Sequence, residues 1–506
     1  MVQQSWLMRL TAVLAIVTSL LLCWPKEVGA QSKSTLVASF ATGINSLDPA
    51  RFGNLPEYSY GNLVFNALAY IDKDLKLQPD LAESWQTSDD LKVWTFKLRD
   101  NVKFHDGRPL TADDVVWTVQ RILDPKTGSR IRANLQIVKS VTAVDRLTVR
   151  FELNGPYADL ASVLADYPAR IVPNGYTDLA KHPIGTGPFK FVSFVPGDRL
   201  VAVKNENYWE KGYPKVDEVR LMHIPEMSSA ITALESGSVH IVADIRPESI
   251  SQIRSGKAAT VQSVPSGTWM GYVMHNEKPP FNDIRVRRAF AALVDKEEVI
   301  KIASFGTGTV THSPIPPRHP YFLNEVATPK ADLATAKKLL ADAGYAKGLK
   351  LKIWYPSADA EQERLALALR EMAKKAGVDI ELSGVPNDKF YGEVEGKESL
   401  ATTMLYGRPT PDTQTYLWYH STGSWNRNMW HYSNPKMDAL LEAARAAKTE
   451  EERTAIYKDV QRTILEDVPG IVVYVKAISH GVRNNVEGFS VSPRAWLELK
   501  GVSLKN

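Results

Sequence analysis

A chain of 506 residues is too long for one ordinary core and implies two or three bodies, while 44% hydrophobic and 23% charged residues is a normal globular composition. The formal net charge of +4 is small for this size, and no basic block is dense enough for a nucleic-acid footprint. No low-complexity tract or internal repeat stands out.

Residues 1–30 begin with a short basic stretch containing Arg9, continue through an uncharged run at residues 10–25, and end in Val28-Gly29-Ala30. This pattern reads as a secretory signal peptide, too short and wrongly flanked for a spanning helix, with the mature chain starting at Gln31. The single cysteine, Cys23, follows Leu22, whereas a lipoprotein signal wants a small residue there, so a lipid anchor is not expected. Cleavage after Ala30 leaves no cysteine, hence no disulfide, thiol nucleophile or thiolate metal site. No later stretch is apolar enough to span a membrane. A soluble periplasmic product is expected.

Residues 35–40 form a short strand candidate and residues 43–49 a loop. Trp94, Phe96 and Leu98 alternate with polar residues as a half-buried strand requires, and Asp106-Gly107 signals a turn. Thr111 to Asp114 matches a capping box ahead of Val115, Val116, Val119, Ile122 and Leu123, an apolar stripe at helical spacing. Leu147, Val149, Phe151 and Leu153 alternate again.

Residues 260–276 hold two strand-like runs on either side of Pro265-Ser266-Gly267, a breaker poorly suited to a central strand but suited to a change of direction. It reads as a crossing between bodies, and clefts between bodies are where small ligands bind. Trp269 and Met270 follow at once and are expected to face such a cleft, although core packing is the competing reading.

Farther along, Asp283 and Asp295 are caps for successive helices, and residues 333–343 read as a helix closed by Gly344. Residues 349–355 alternate as strand, a helical stripe from Leu365 closes at Gly377, and a strand follows at residues 379–382. Asn434 and Pro435 begin a helix through Ala447. Residues 471–475 are a short apolar run fitting a buried strand, with strand-and-turn text after Lys476. Helices alternating with strands give an α/β body.

No phosphate-binding G-x-x-x-x-G-K-[ST], no H-E-x-x-H and no G-x-S-x-G occurs, so binding is favoured over catalysis. His312, His319, His420 and His431 lack the spacing of a metal motif, and neither a metal nor a cofactor is expected. Tyr406, Tyr416, Trp418, Tyr419, Trp425 and Trp430 cluster in sequence, with faces and polar tips suited to organic solutes. Tyr406 and Trp425 are taken as cleft residues, with Tyr58 a further candidate.

The run LQPDLAESWQTSDDLKVWTFKLRDNVKFHDGRPLTADDVVWTVQRILDP resembles the signature region of the family 5 extracytoplasmic solute-binding proteins, the peptide- and nickel-binding receptors of ATP-driven importers. Leu47-Asp48-Pro49, PIGTGPFKFVSF from Pro183, NENYWEKGYPKVDEVRL from Asn205, KPPFNDIRVRRAFAALVDKEEV from Lys278 and HYSNPKMDALLEAA from His431 extend the resemblance over nearly the whole mature chain. It implies a two-lobed type II periplasmic-binding-protein fold with an inserted third subdomain. Lobe I would comprise residues 31–52, 183–266 and 479–506, with the insert at 53–182 and lobe II at 267–478. The implied function is delivery of a small solute to an ABC importer whose permease and ATPase subunits are separate chains, by a monomer that is not an enzyme. A hydrolase retaining the receptor fold, or a nickel or metal-chelate receptor, is the alternative.

In peptide receptors of this family, an aspartate just before an Asp-Pro-Asp-like run pairs with the ligand's amino terminus. Aligning Pro411-Asp412 with that run puts Gly407 where the acid is expected and Arg408 beside it. The resemblance therefore departs from the peptide pattern at the ligand-binding position, and Gly407 and Arg408 join the candidate site. Arg408 facing a carboxylate, phosphate or polyhydroxyl group of the solute, and Arg408 as a surface or lobe-closing ion-pair residue, are both open.

Overall fold

The computed structural model describes residues 33–408 and 410–505. The expected signal peptide and the start at Gln31 lie outside them.

An eleven-stranded mixed sheet runs through the chain. Its order is Val378–Val385, Leu349–Pro356, Leu400–Leu405, Ala259–Met274, Gly470–Arg483, Ile241–Val242, Thr35–Phe40, Glu218–His223, Arg199–Lys204 and Phe189–Val195, with Thr309–Val310 pairing onto Gly470–Arg483 off this path. The two longest strands, Ala259–Met274 and Gly470–Arg483, lie antiparallel at its middle and belong to both flanks. Near one end Gly470–Arg483 hands on to Ile241–Val242 through Ile241 and Val482, and toward the other end Ala259–Met274 pairs with Leu400–Leu405 from Trp269 to Met274.

The break expected at Pro265-Ser266-Gly267 is a bulge within one continuous strand. Pro265 pairs with Ala477 and Trp269 with Val475, so Ser266, Gly267 and Thr268 stand opposite Lys476 alone. A proline without its N–H is tolerated where the ladder is already interrupted. The return strand likewise does not end at Lys476 but continues in register to Arg483.

Each flank has its own core. Leu36, Ala38, Leu63, Val219 and Leu499 pack on one side, and Val286, Phe290, Ile353, Leu369 and Val473 on the other. A four-stranded antiparallel sheet, ordered Ala82–Thr87, Val93–Leu98, Thr148–Leu153, Val138–Asp145, builds a third core with Val115, Val119 and Ile122 of helix Ala112–Leu123. That helix starts as its sequence dictates, the Thr111 N–H donating to Asp114 Oδ2 at 2.7 Å. Asp283 caps helix Ile284–Leu293 by accepting from the Arg285 N–H at 2.8 Å, and Asn434 caps Pro435–Ala446 through Lys436 N–H at 2.9 Å. Gly377 closes helix Ala360–Lys374 with φ 80°, a conformation that costs a glycine little.

Candidate functional site

A cavity of about 1230 Å³ opens where the two long strands bulge; Ser266, Gly267 and Thr268 form part of its wall with Ala477 and Ile478 of the return strand. Ligands of sheet proteins gather at the carboxyl ends of strands near such a switch in topology. The parallel strands Thr35–Phe40 and Ile241–Val242 obey this rule, since Thr42 and Asp244, just past their ends, line the cavity.

One wall is aromatic. Tyr58, from helix Leu55–Val64, stacks on Tyr167 with ring centroids 3.6 Å apart and a 26° interplanar angle, and Trp496 meets both rings edge-on. The Arg494 guanidinium lies 4.1 Å over Trp496 and binds Asp166 at 2.6 Å. Burial and the touching Tyr167 hydroxyl push the Tyr58 phenol well above its ordinary value, so it stays a neutral donor.

The facing wall follows strand Leu400–Leu405 and carries Tyr406, Gly407, Arg408 and Trp425. Tyr406 is 65% exposed, the most open of the large aromatics that line the cavity. Gly407 rests on Gly267: a Cβ on it would stand 2.7 Å from the Gly267 Cα and carbonyl carbon, so two backbones fill the place where a side chain would go. The Arg408 N–H donates to Gln414 Oε1 at 2.7 Å, which fixes the turn that presents its side chain.

The cavity's arginines fall into two kinds. Arg445 makes a bidentate pair with buried Asp412 at 2.7 and 3.0 Å, and Arg494 pairs with Asp166. Arg408 and Arg130, by contrast, have no carboxylate partner among the described residues, and both are exposed to the cavity. Arg130 lies against Gly53, where a Cβ would come within 2.6 Å of the guanidinium. Its field reaches Tyr58, and that of Arg408 reaches Tyr167.

Of the residues expected from sequence, the cavity brings together Tyr58, Tyr406, Gly407, Arg408 and Trp425. Trp269 and Met270 are elsewhere. Both are 0% exposed, Trp269 stacked on Trp430 at 6.1 Å and edge-on to Trp418 at 5.6 Å, and Met270 in the core with Tyr272 and Phe290. Successive strand residues point to opposite faces, and here both faces are covered, so the cleft is left to the bulge residues that precede them. Tyr167, Trp496, Arg130 and Asp244 had no sequence signal. Among the histidines, His319 lines the cavity, held neutral by a pKa lowered to about 4 through burial and the nearby Arg453 charge. Among the described residues, the one three-residue group able to hold a metal is His275, Glu277 and His431, which does not line the cavity. Its two imidazoles stack face to face at 3.9 Å.

A sheet shared by two flanks through a pair of crossing strands, with a roomy cavity at the crossing, is the two-domain type II periplasmic-binding-protein fold. The chain belongs to the bacterial extracellular solute-binding proteins, family 5 (middle), whose family model matches residues 76–428. It is a solute-binding receptor of the ABC-importer class. It is 27% identical to the glutathione-binding protein GsiB of Pectobacterium atrosepticum, over 99% of both chains. The solved structure of CtaP, an ABC-transporter substrate-binding protein of Listeria monocytogenes, superposes with a TM-score of 0.84 at 26% identity over 94% of this chain and 100% of that one. AgaA of A. tumefaciens, solved with agropinic acid, gives 0.77 at 25% identity over 93% and 99%. Members of this family are extracytoplasmic binding proteins that work with ABC-importer permeases. No helix among the described residues is long and apolar enough to cross a membrane.

Proposed function

We propose that the receptor captures a small organic solute bearing a carboxylate or similar anionic group, which meets Arg408 while the rest of the solute lies against Tyr58, Tyr406 and Trp425. The observation that carries this is the contrast among arginines: Arg445 and Arg494 are neutralised by aspartates, whereas Arg408, like Arg130, reaches the same cavity without one. A guanidinium presents a planar fork of donors to a carboxylate or phosphate. Glutathione and agropinic acid, named for two of the relatives, both carry carboxylates.

In this reading, residues 31–52, 183–266 and 479–506 form lobe I, residues 53–182 its insert and residues 267–478 lobe II. The lobes close by hinge motion because a solute touching both favours the closed form. The mature protein is exported after cleavage at Ala30, acts as a periplasmic monomer without catalysis, and hands its solute to a permease served by separate ATPase chains. Ligand-induced thermal stabilisation against a panel of amino acids, dipeptides, glutathione and sugar acids tests the solute class. A charge-assisted contact is worth about 1.5–3 kcal/mol, so Arg408→Ala weakens the best carboxylate-bearing hit by about tenfold to a hundredfold. The unliganded melting temperature is unchanged. A drop in that temperature with unaltered affinity would instead make Arg408 structural.

A further inference from the structure

We infer that Asp244 forms a second subsite in the same cavity, one that takes a protonated amine or other cationic group of the solute and stands in for the acid absent at Gly407. The inference rests on the reading of this cavity as the solute site.

Gly407 cannot carry an acid without displacing Gly267, yet the cavity does not lack a carboxylate. Asp244 follows strand Ile241–Val242 and lines the wall together with Lys476 and Tyr406. Its backbone is held on both sides: the Ala243 N–H donates to Ser39 O at 2.9 Å, the Asp244 N–H to His480 Nδ1 at 3.0 Å, and the Ile245 N–H to Ser479 O at 2.7 Å. That grip keeps Asp244 at φ 54°, a conformation few non-glycine residues adopt. Among the described residues its carboxylate has no hydrogen-bond or ion-pair partner, although it is open to the cavity.

The surrounding charge is mixed, with Lys476 exerting the strongest field on Asp244, ahead of Glu361 and Arg246. Asp359 also lines this part of the wall, but its oxygens cap helix Ala360–Lys374, accepting from Glu361 N–H, Gln362 N–H and Gln362 Nε2 at 3.0–3.2 Å. Lys476 is bound to Glu361 at 2.5 Å, and Glu361 also accepts from the Tyr474 hydroxyl at 2.7 Å. Asp244, Asp359 and Glu361 thus face the single ammonium of Lys476; Arg246, outside the cavity wall, exerts the weakest of the fields on Asp244. Although Asp244 is open to the cavity, desolvation by the surrounding protein raises its carboxyl above the ordinary value, against the field of Lys476. The fields of Asp244 and Asp359 both reach Tyr406, whose open ring offers a cation a face as well. A solute with a cationic group at Asp244 and an anionic group at Arg408 meets opposite charges at both.

The test uses the full mature protein and matched probes: amino acids, dipeptides and glutathione, each beside its N-acetyl form, compared by thermal stabilisation and then calorimetry. Wild type is expected to prefer the free amine by tenfold or more. Asp244→Asn is expected to erase that preference; asparagine keeps the side-chain shape and tolerates positive φ, so the unliganded melt serves as the folding control. An N-acetyl form that binds wild type as tightly as its free amine, or an Asp244→Asn protein that keeps the preference, overturns the subsite. Arg408→Ala weakening both members of a pair alike, alongside an unaffected Asp244→Asn, would overturn the cation subsite alone. Arg408→Ala without effect, alongside an Asp244→Asn that loses its amine preference, would overturn the anion reading and leave this subsite standing. No stabilisation by any probe would count against both.

Discussion

The contact between Gly407 and Gly267 lends itself to a quantitative test. A Cβ on Gly407 stands 2.7 Å from both the Cα and the carbonyl carbon of Gly267, whereas carbon atoms rest about 3.5–4.0 Å apart. An alanine there therefore overlaps backbone by about 0.8–1.3 Å. Gly267 lies in the unpaired bulge between the pairs Pro265–Ala477 and Trp269–Val475, so the bulge or the loop carrying Gly407 must yield. Yielding stretches the bond from Gly407 N–H to Thr268 Oγ1, already 3.4 Å, and strains the Arg408–Gln414 bond at 2.7 Å. Overpacking of this kind costs about 1–3 kcal/mol, less about 0.4–1 kcal/mol for the stiffer unfolded chain. Gly407→Ala and Gly407→Asp are expected to lower the unliganded melting temperature by a few degrees and to weaken solute binding. Gly267→Ala, whose Cβ meets Gly407 Cα at 3.0 Å, is expected to be milder. The double alanine variant should cost less than the sum, because both act on one contact. Differential scanning calorimetry with matched binding isotherms measures all four. A Gly407→Asp protein that melts like wild type and gains affinity for free amines would refute the reasoning, because an acid would then fit where backbone is claimed to fill the space.

Trp269→Ala, which empties a buried site between Trp418 and Trp430, is expected to cost about 3–5 kcal/mol. Tyr406→Ala at its 65% exposed position should change unliganded stability by no more than about 0.5 kcal/mol, and denaturant melts of the two variants check the contrast. His480 is 0% exposed, and burial lowers its pKa from 6.5 to about 4. The unfolded chain therefore takes up a proton between those values while the native one does not, and stability falls as pH drops from 6.5 toward 4. His480→Gln should flatten that loss by on the order of 2 kcal/mol between pH 7 and 4.5 in denaturation curves; His105, His312 and His319, with pKa values also lowered to about 4, keep part of the slope.

Local signals were readable because they depend on near neighbours. Thr111 with Asp114, Asp283 with Arg285, and Asn434 with Lys436 make their bonds within three residues, and the structure forms each cap. Trp269 and Met270 lie in the core and not the cleft, and alternation along a strand does not foretell this, because it states which residues share a face, not whether a face is covered. Covering is decided by Trp418 and Trp430 on one side and helix Ile284–Leu293 on the other, far away in sequence. Arg130, Asp244 and Trp496 carry no motif at all. They meet only because the chain leaves and re-enters the central sheet several times. The glycine at 407 was visible as a departure from the peptide pattern, but its partner at 267 could be found only in three dimensions.

The bulge has a mechanical consequence. With three residues against one, and a smaller register shift between Met270 and Gly271, the ribbon made by Ala259–Met274 and Gly470–Arg483 holds most of its spare contour length at the first bulge, and curvature can change there without breaking a cross-strand bond on either side. Ser266, Gly267 and Thr268, where that slack is stored, are themselves cavity wall. A solute filling the cavity thus presses on the compliant point of the ribbon itself. In the proposed hinge closure, no relay through packed side chains would be needed for occupancy to alter the angle between the two flanks of the sheet.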